Sequence, residues 1–189
     1  MRFVLTDEFW GLDALTPAEW HIIAELPEVA RGRDFSQSTR DRLFPSPFAP
    51  DALLDEDTTT HLEDWKQYVE PDLHDTFREA RELVSKDLDA VEVIPAKDFF
   101  EPDDQERLDD MPDLRRLRVP LKHSEPWYSV LNQARLLMNE EYDLAESDDR
   151  ILLQLQNAEG VDQDRLMKLA QYEFYSIVQS ILVENVMTL

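Results

Sequence analysis

Only three glycines occur in the 189 residues, at Gly11, Gly32 and Gly160. Loops that cradle phosphates need several closely spaced glycines, so the nucleotide-binding folds built on such loops are excluded. The chain is rich in Leu, Glu, Arg and Gln, which favour helices, and its eleven prolines cluster near expected helix boundaries. We therefore predict an all-α fold.

Helix signals recur along the chain. Thr16, Pro17 and Glu19 match a capping box with a proline in the first turn. Ser124 followed by Pro126 predicts another helix start, ahead of an apolar face that includes Leu131. A last helix begins at Asp162 or Gln163, and the apolar stripe predicted for it comprises Leu166, Leu169, Ala170, Phe174, Ile177, Val178 and Ile181.

These signals together predict one domain over residues 1–189. Its architecture is expected to be a helical bundle of about six or seven helices around a long C-terminal helix. Leu131 and Ile177 are expected in its main seam, where Asp at either position would prevent folding. The β-rich residues 91–94 and 117–119 leave room for one short β pair beside the helices.

Acidic residues dominate the charge. Asp and Glu total 42 against 19 Lys and Arg, so the formal net charge at pH 7 is −23. Nucleic acids and anionic membranes are bound through Lys and Arg, so we expect neither as a partner. A cationic or protein partner is expected; the alternative is that the charge only serves solubility or reflects adaptation. There are no cysteines, which excludes disulfides, thiol catalysis and thiolate zinc sites.

The apolar runs are short. The N-terminal run is too short for a signal peptide, and acids follow it at once. The longest run, residues 177–183, is interrupted by Gln179 and Ser180 and falls far below the ~20 residues of a membrane span. We expect a cytoplasmic protein.

No pattern of metal ligands or catalytic groups is recognisable. The histidines are His21, His61, His74 and His123, with no metal-binding spacing among them. Residues 98–113 carry eight acids but lack the glycine of an EF-hand loop, so a solvated loop is favoured over a Ca²⁺ or Mg²⁺ site. We predict no metal and no cofactor. Because no base and nucleophile stand at a recognisable spacing, a binding protein is favoured over an enzyme.

Two segments run against the overall charge. Residues 114–123 hold Arg115, Arg116 and Arg118 with no acid, and residues 31–42 hold four arginines, including Arg42, against two acids. Arginine forks bind carboxylates and phosphates. Pairing with the protein's own acids is the favoured interpretation, and an external anion site at Arg42, Arg115, Arg116 and Arg118 is the alternative.

Asn132 is the most unusual helix position. It adjoins the apolar face that runs from Trp127 to Met138, and Arg135 lies nearly one turn further on. A buried amide needs a hydrogen-bond partner, so a structural bond is the favoured interpretation. The alternative is that Trp127, Asn132 and Arg135 line a binding cleft.

The stretch Trp127-Tyr-Ser-Val-Leu-Asn132-Gln-Ala-Arg135-Leu-Leu-Met resembles the signature segment of a bacterial domain-of-unknown-function family of the actinobacterial type. Three further pieces are similar in type and order: residues 42–48, the helix around 65–81, and residues 172–183. The chain departs from the family after Met138, where Asn139 stands in place of a usual glycine. The resemblance implies a small helical intracellular protein with no established activity. In actinobacteria such genes often lie beside the Clp protease adaptor gene, which implies a regulatory role linked to Clp proteolysis.

These observations favour a non-enzymatic binding or regulatory protein that acts through protein–protein contacts. A small-molecule-binding protein or enzyme built around Asn132 and Arg135 is the alternative, and a homo-oligomer that uses its own apolar surface is a third. A deep polar pocket at Asn132 and Arg135 favours the enzyme, whereas an exposed apolar patch favours a partner.

Overall fold

The computed structural model describes residues 1–48, 56–99, 111–144 and 163–188. The protein is mixed α/β, because a four-stranded antiparallel sheet with strand order β1-β2-β4-β3 accompanies the helices. The all-α prediction is therefore wrong. Most of the acidic stretch 98–113, and Gly160, lie outside the described residues.

The sheet joins the N-terminus to the middle of the chain. Its strands are β1 (Arg2–Leu5), β2 (Phe9–Leu15), β3 (Glu92–Ile94) and β4 (Leu114–Pro120). At Gly11 in β2 a Cβ would lie 2.5 Å from the carbonyl oxygen of Leu117 in β4, so only glycine allows this close approach of two central strands.

Strands form at both expected places, but residues 117–119 pair with β2, and the partner of β3 is the preceding part of β4, residues 114–116. Strand β3 pairs with β4 in an antiparallel register that sets Glu92 opposite Arg116 and Ile94 opposite Leu114. Strand β4 also pairs with β2 on its other side. The pair is thus one edge of a four-stranded sheet, whose other half is an N-terminal hairpin that the helical prediction did not contain.

Seven α-helices are described, and they pack against the sheet and against each other. They are α1 (Pro17–Ala24), α2 (Leu26–Arg31), α3 (Gln37–Asp41), α4 (Glu56–Asp64), α5 (Glu70–Asp89), α6 (Ser124–Tyr142) and α7 (Gln163–Leu182). A π-helical segment, Trp65–Val69, joins α4 to α5, and another, Val183–Met187, follows α7. None of the helices in the described ranges has the length and apolar character needed to cross a membrane.

The predicted capping box of α1 is confirmed. The Thr16 hydroxyl accepts a hydrogen bond from the Glu19 N–H at 3.3 Å, and the Glu19 carboxylate accepts from the Thr16 N–H at 2.8 Å. Helix α6 begins at Ser124 as expected, but the Ser124 hydroxyl donates to the Leu121 carbonyl oxygen instead of capping the helix.

The centre of the helical layer is α6. It packs against α2, α5 and α7. The predicted apolar face of α6 is confirmed, and the residues it buries include Trp127, Val130, Leu131, Ala134, Leu137 and Met138. The C-terminal helix is therefore not the hub of the bundle, as the sequence had suggested, but a neighbour of the hub.

Candidate functional site

The side of α7 that faces the core is unusually polar. Its buried residues are Gln171, Tyr172, Tyr175, Val178, Gln179 and Leu182. The Tyr175 hydroxyl donates to the Ile22 carbonyl oxygen at 2.9 Å, and the Gln171 amide donates to that hydroxyl at 3.0 Å. Burial raises the pKa of the Tyr175 phenol. These hydrogen bonds allow polar side chains to occupy the position that apolar ones were expected to fill.

Part of the apolar stripe predicted for α7 points away from the core, whereas Leu169 and Phe174 pack against the core and Val178 belongs to it. We call Leu166, Ala170, Phe174, Ile177 and Ile181 the α7 outer face, since their spacing of three and four residues puts them on one side of the helix. Ile177 is 49% exposed, Ala170 is exposed, and the other three are half-buried. The prediction that Ile177 lies in the main seam is wrong, whereas Val178, one position on, is buried.

Acidic residues lie at the edges of this surface. Glu173 and Glu184 are at least partly exposed, one beside Phe174 and the other one turn beyond Ile181. The cations of α7 lie near its first turns, where the Lys168 ammonium sits 5.9 Å from the ring centre of Tyr142. The middle and far end of the α7 outer face are therefore apolar with acidic borders.

A depression of about 290 Å³ runs along the flank of α7, between α7 and α6. Asn132 and Arg135 line it from α6, Ser180 lines it from α7, and Glu184 lines it from the π-helical segment that follows. Since Glu184 lies three positions after Ile181, the depression lies beside the far end of the α7 outer face. The structure thus brings Asn132 and Arg135 together, as the cleft alternative expected.

The guanidinium of Arg135 is held inside the protein. It donates to the Gln179 side-chain oxygen and to the Tyr172 hydroxyl, and it lies 5.2 Å from the centre of the Tyr172 ring. Its Nε atom is buried and has no hydrogen-bond partner among the described residues. The role of Arg135 is therefore mainly structural: it joins α6 to α7, and its contacts leave it poorly placed to bind a ligand.

The other two residues of the predicted cleft have different surroundings. Asn132 is exposed, and the buried amide of α6 is its neighbour Gln133, which is 2% exposed and accepts from Arg81 at 2.7 Å. The structural hydrogen bond expected at Asn132 is thus found at Gln133. Trp127 is fully buried and donates to Asp87 at 2.9 Å, so it does not line the depression.

The arginines proposed for an external anion have partners within the protein. Arg42 contacts Glu140 at 3.0 Å and Arg116 contacts Asp13 at 2.8 Å. Arg118 lies 3.6 Å from Glu92, and the Arg115 guanidinium lies 5.5 Å from the centre of the Trp20 ring. Internal pairing, the favoured interpretation, is confirmed for Arg42, Arg116 and Arg118.

The described residues also contain no group of three or more His, Asp or Glu side chains that could hold a metal ion. The feature that sequence reasoning missed is the polar inner face of α7. Gln171, Tyr175 and Gln179 repeat at intervals of four residues, and this pattern is the signal that a hydrogen-bonded face competes with the apolar one for the core.

Comparison with known proteins gives one result. The family model described as "Domain of unknown function (DUF2017)" matches residues 5–186, nearly the whole chain. No curated protein and no solved structure matches the chain.

Proposed function

Because the chain belongs to the DUF2017 family, whose description states no function, we propose from its geometry that it is a non-enzymatic binding or regulatory protein acting through protein–protein contacts. The observation that carries the proposal is the α7 outer face, an apolar stripe that is exposed at Ala170 and Ile177 and half-buried elsewhere, on a helix whose opposite side is already packed. Contiguous exposed apolar surface bordered by polar residues is typical of a protein-binding site.

The partner is a protein surface with an apolar strip and positive charge around it. The net charge of −23 and the acidic borders at Glu173 and Glu184 attract cations. The same charge repels a second copy of the chain, so a hetero-complex is favoured over a homo-oligomer. A nucleic-acid or membrane partner is disfavoured for the same reason.

The finer parts of the proposal rest on the family resemblance. They are a bacterial, cytoplasmic protein whose partner belongs to Clp proteolysis, since the resemblance implies genes that often lie beside that of the Clp protease adaptor. The alternative of a small-molecule-binding protein or enzyme at Asn132 and Arg135 is weaker, because the depression there is shallow and its arginine is tied to Gln179 and Tyr172.

The test compares two substitutions that add one positive charge each at an exposed apolar residue. Ile177→Arg changes the α7 outer face, and the matched control Val93→Arg changes strand β3, where Val93 is 56% exposed. Tagged parent and variants are used for affinity capture from the native host, and the captured protein is then purified and its binding measured by calorimetry.

We expect one partner that binds the parent and Val93→Arg alike and binds Ile177→Arg at least about tenfold more weakly, since one buried apolar side chain is worth about 1.5–3 kcal/mol. Equal binding of the partner to both variants would contradict the proposal. Concentration-dependent dimerisation of the parent, lost only in Ile177→Arg, would instead identify a second copy as the occupant.

A further inference from the structure

A second candidate surface is a cleft of about 530 Å³. One side of it is formed by residues of α2, α3 and the segment after α3, and the other side by residues of α4, α5 and the π-helical segment that joins them. Four cations line it, Arg31, Arg40, Lys66 and Arg81, against two acids, Asp41 and Glu70. The chain as a whole has more than two acids for each cation, so the charge ratio of this cleft is the inverse of that of the molecule.

Arg81 is the central observation. Its guanidinium is half-buried, and the partner it binds at 2.7 Å is the neutral amide of Gln133. Among the described residues, no carboxylate lies within ion-pair distance of Arg81. Burial, together with the positive charges of Arg31 and Arg78, outweighs the opposite effect of Glu28 and Glu82 and lowers the pKa of Arg81 below its ordinary value. A half-buried cation whose hydrogen-bond partner is a neutral amide, in a protein so rich in acids, marks a place for an anion from outside.

The other cations of the cleft differ in how far their side chains are already engaged by partners within the protein. Arg40 directs Nη1 at the carbonyl oxygens of Gly32, Arg33 and Phe35 and Nη2 at Gln37, so most of its donors are already used and it contributes mainly charge. Arg31 shares its charge with Glu28 at 2.8 Å. Lys66 is exposed on the π-helical segment and forms no ion pair with a described residue. Arg81 and Lys66 are therefore the groups available to contact a ligand.

The two acids of the cleft already have partners. Asp41 accepts a hydrogen bond from the Gln37 amide at 2.6 Å, and Glu70 lies 3.9 Å from the His74 ring nitrogen. With four cations against two acids, the net charge of the lining residues is positive.

Aromatic rings complete the lining. Phe44 stacks on the His74 ring with 3.7 Å between ring centres and an angle of 21° between planes, and both residues line the cleft together with Trp65. The Phe77 ring centre lies 5.5 Å from that of Phe44, so the Phe44 ring is already in contact with two others. Trp65 stacks on no ring of the described residues, so its face can accept a planar ring, while the cations accept the charge attached to it.

We infer that this cleft binds a phosphate-bearing aromatic ligand of mononucleotide size, with Arg81 and Lys66 on the phosphate and Trp65 against the ring. Several cations around one anion favour a doubly charged phosphate over a singly charged carboxylate. The volume lies within the range of small-molecule sites. The cleft uses side chains and aromatic walls, so it needs none of the glycine-rich loops that the sequence lacks.

The experiment is calorimetric titration of the full chain with AMP, ATP, adenosine and pyrophosphate, repeated with three variants. Arg81→Gln and Lys66→Gln remove the proposed phosphate contacts. Arg78→Gln is the matched control, since Arg78 lies one turn from Arg81 on α5, pairs with Asp75 at 2.7 Å and does not line the cleft. Trp65 fluorescence, with Trp65→Phe as a blank, places the ligand in the cleft.

We expect AMP or ATP to bind and to quench Trp65, with adenosine and pyrophosphate at least about tenfold weaker. Arg81→Gln and Lys66→Gln should each weaken nucleotide binding by about tenfold or more, the range for a hydrogen bond to a charged group, and Arg78→Gln by less than about twofold. If Arg81→Gln fails to fold, Lys66→Gln decides the outcome. The inference is overturned if no nucleotide binds at millimolar concentration, if pyrophosphate binds as tightly as AMP, or if Arg78→Gln weakens binding as much as the other two.

Discussion

At the scale of single residues, Asp87 shows how a buried charge is tolerated. It is 8% exposed, accepts from the Trp127 indole at 2.9 Å and lies 3.0 Å from Nδ1 of His123. The carboxylate therefore joins the end of α5 to the start of α6. An Asp–His pair of this kind resembles part of a catalytic triad, but the Trp127 contact fixes the carboxylate inside the core and indicates a structural role.

Asp87→Ala is expected to destabilise the protein by about 1–3 kcal/mol, because it leaves the buried indole N–H of Trp127 without a partner. Trp127→Phe removes that donor. In the Trp127→Phe background the same Asp87→Ala change should therefore cost less. Urea unfolding of the four proteins of this double-mutant cycle measures the coupling, and a coupling of zero would contradict the contact.

Glu141 fixes the start of α3 in a similar way. Its carboxylate accepts from the Thr39 hydroxyl at 2.6 Å and from the Ser36 N–H and hydroxyl at 3.2 and 3.0 Å. Hydrogen bonds from Thr39 first, and then from Ser36, lower the pKa of Glu141 below its ordinary value of 4.5.

This lowered pKa predicts the pH dependence of one variant. Because the folded-state pKa is the lower one, the stability that ionised Glu141 contributes is complete above its unfolded pKa and is lost as the pH falls through the folded pKa. The difference in unfolding free energy between the parent and Glu141→Gln should thus be largest at neutral pH and shrink below about pH 4.5. A difference that stays constant from pH 7 to pH 3 in urea melts would refute this.

At the scale of elements, α7 shows where sequence patterns are ambiguous. Its apolar stripe and its Gln–Tyr stripe lie on opposite sides of one helix, and apolarity alone predicts the wrong one for the core. The Gln–Tyr side wins because its polar atoms find partners on Ile22, Glu25 and Arg135. Those partners are distant in the sequence, so they cannot be predicted from the spacing of residues within the helix.

Two aspartate substitutions test this orientation. Leu131→Asp places a charge in a fully buried position of α6 and is expected to prevent folding. Ile177→Asp places the same charge on a residue that is 49% exposed, and we expect a folded protein destabilised by about 1 kcal/mol. Far-ultraviolet circular dichroism and urea melts distinguish the two variants. An unfolded Ile177→Asp would mean that Ile177 packs in the core and that the orientation of α7 described here is wrong.

Local sequence patterns predict some elements of this fold well, whereas features that depend on distant residues are not predicted. The capping box at Thr16 and Glu19 and the apolar face of α6 are local patterns, and both are confirmed. Strand β2 escaped prediction because it is nearly all buried between two neighbours and shows no alternation. Its pairing with β4 shifts register between Leu12 and Leu15, with Ala14 at a φ of 55°, and this irregularity further masks the period of two.

At the scale of the whole molecule, two surfaces differ in charge: one is a positive cleft, and the other is an apolar face bordered by acids. Several arginines pair with internal acids, and the carboxylates in excess give the molecule its net charge of −23. Against this background the cleft at Arg81 is positive, and the α7 outer face is apolar with acidic borders. The sequence predicted the charge and the internal pairing, but the position of each surface depends on how α5, α6 and α7 pack.

A cationic partner of this acidic molecule should bind in a salt-dependent way. We expect the association rate of the captured partner to fall by about tenfold or more between 50 and 500 mM NaCl, with a smaller change in dissociation, because steering acts on encounter. Stopped-flow or surface-plasmon-resonance kinetics measures both rates. An association rate that is independent of salt would indicate a purely apolar contact.

The central claim is that the α7 outer face is the surface through which this protein binds another. The most direct measurement is photo-crosslinking in the native host, with a benzophenone amino acid placed at position 177 or, as the control, at position 93, whose exposure is similar. We predict that position 177 crosslinks to one host protein, through a peptide rich in Lys and Arg, and that position 93 does not. No crosslink from position 177, or the same products from both positions, would contradict the claim.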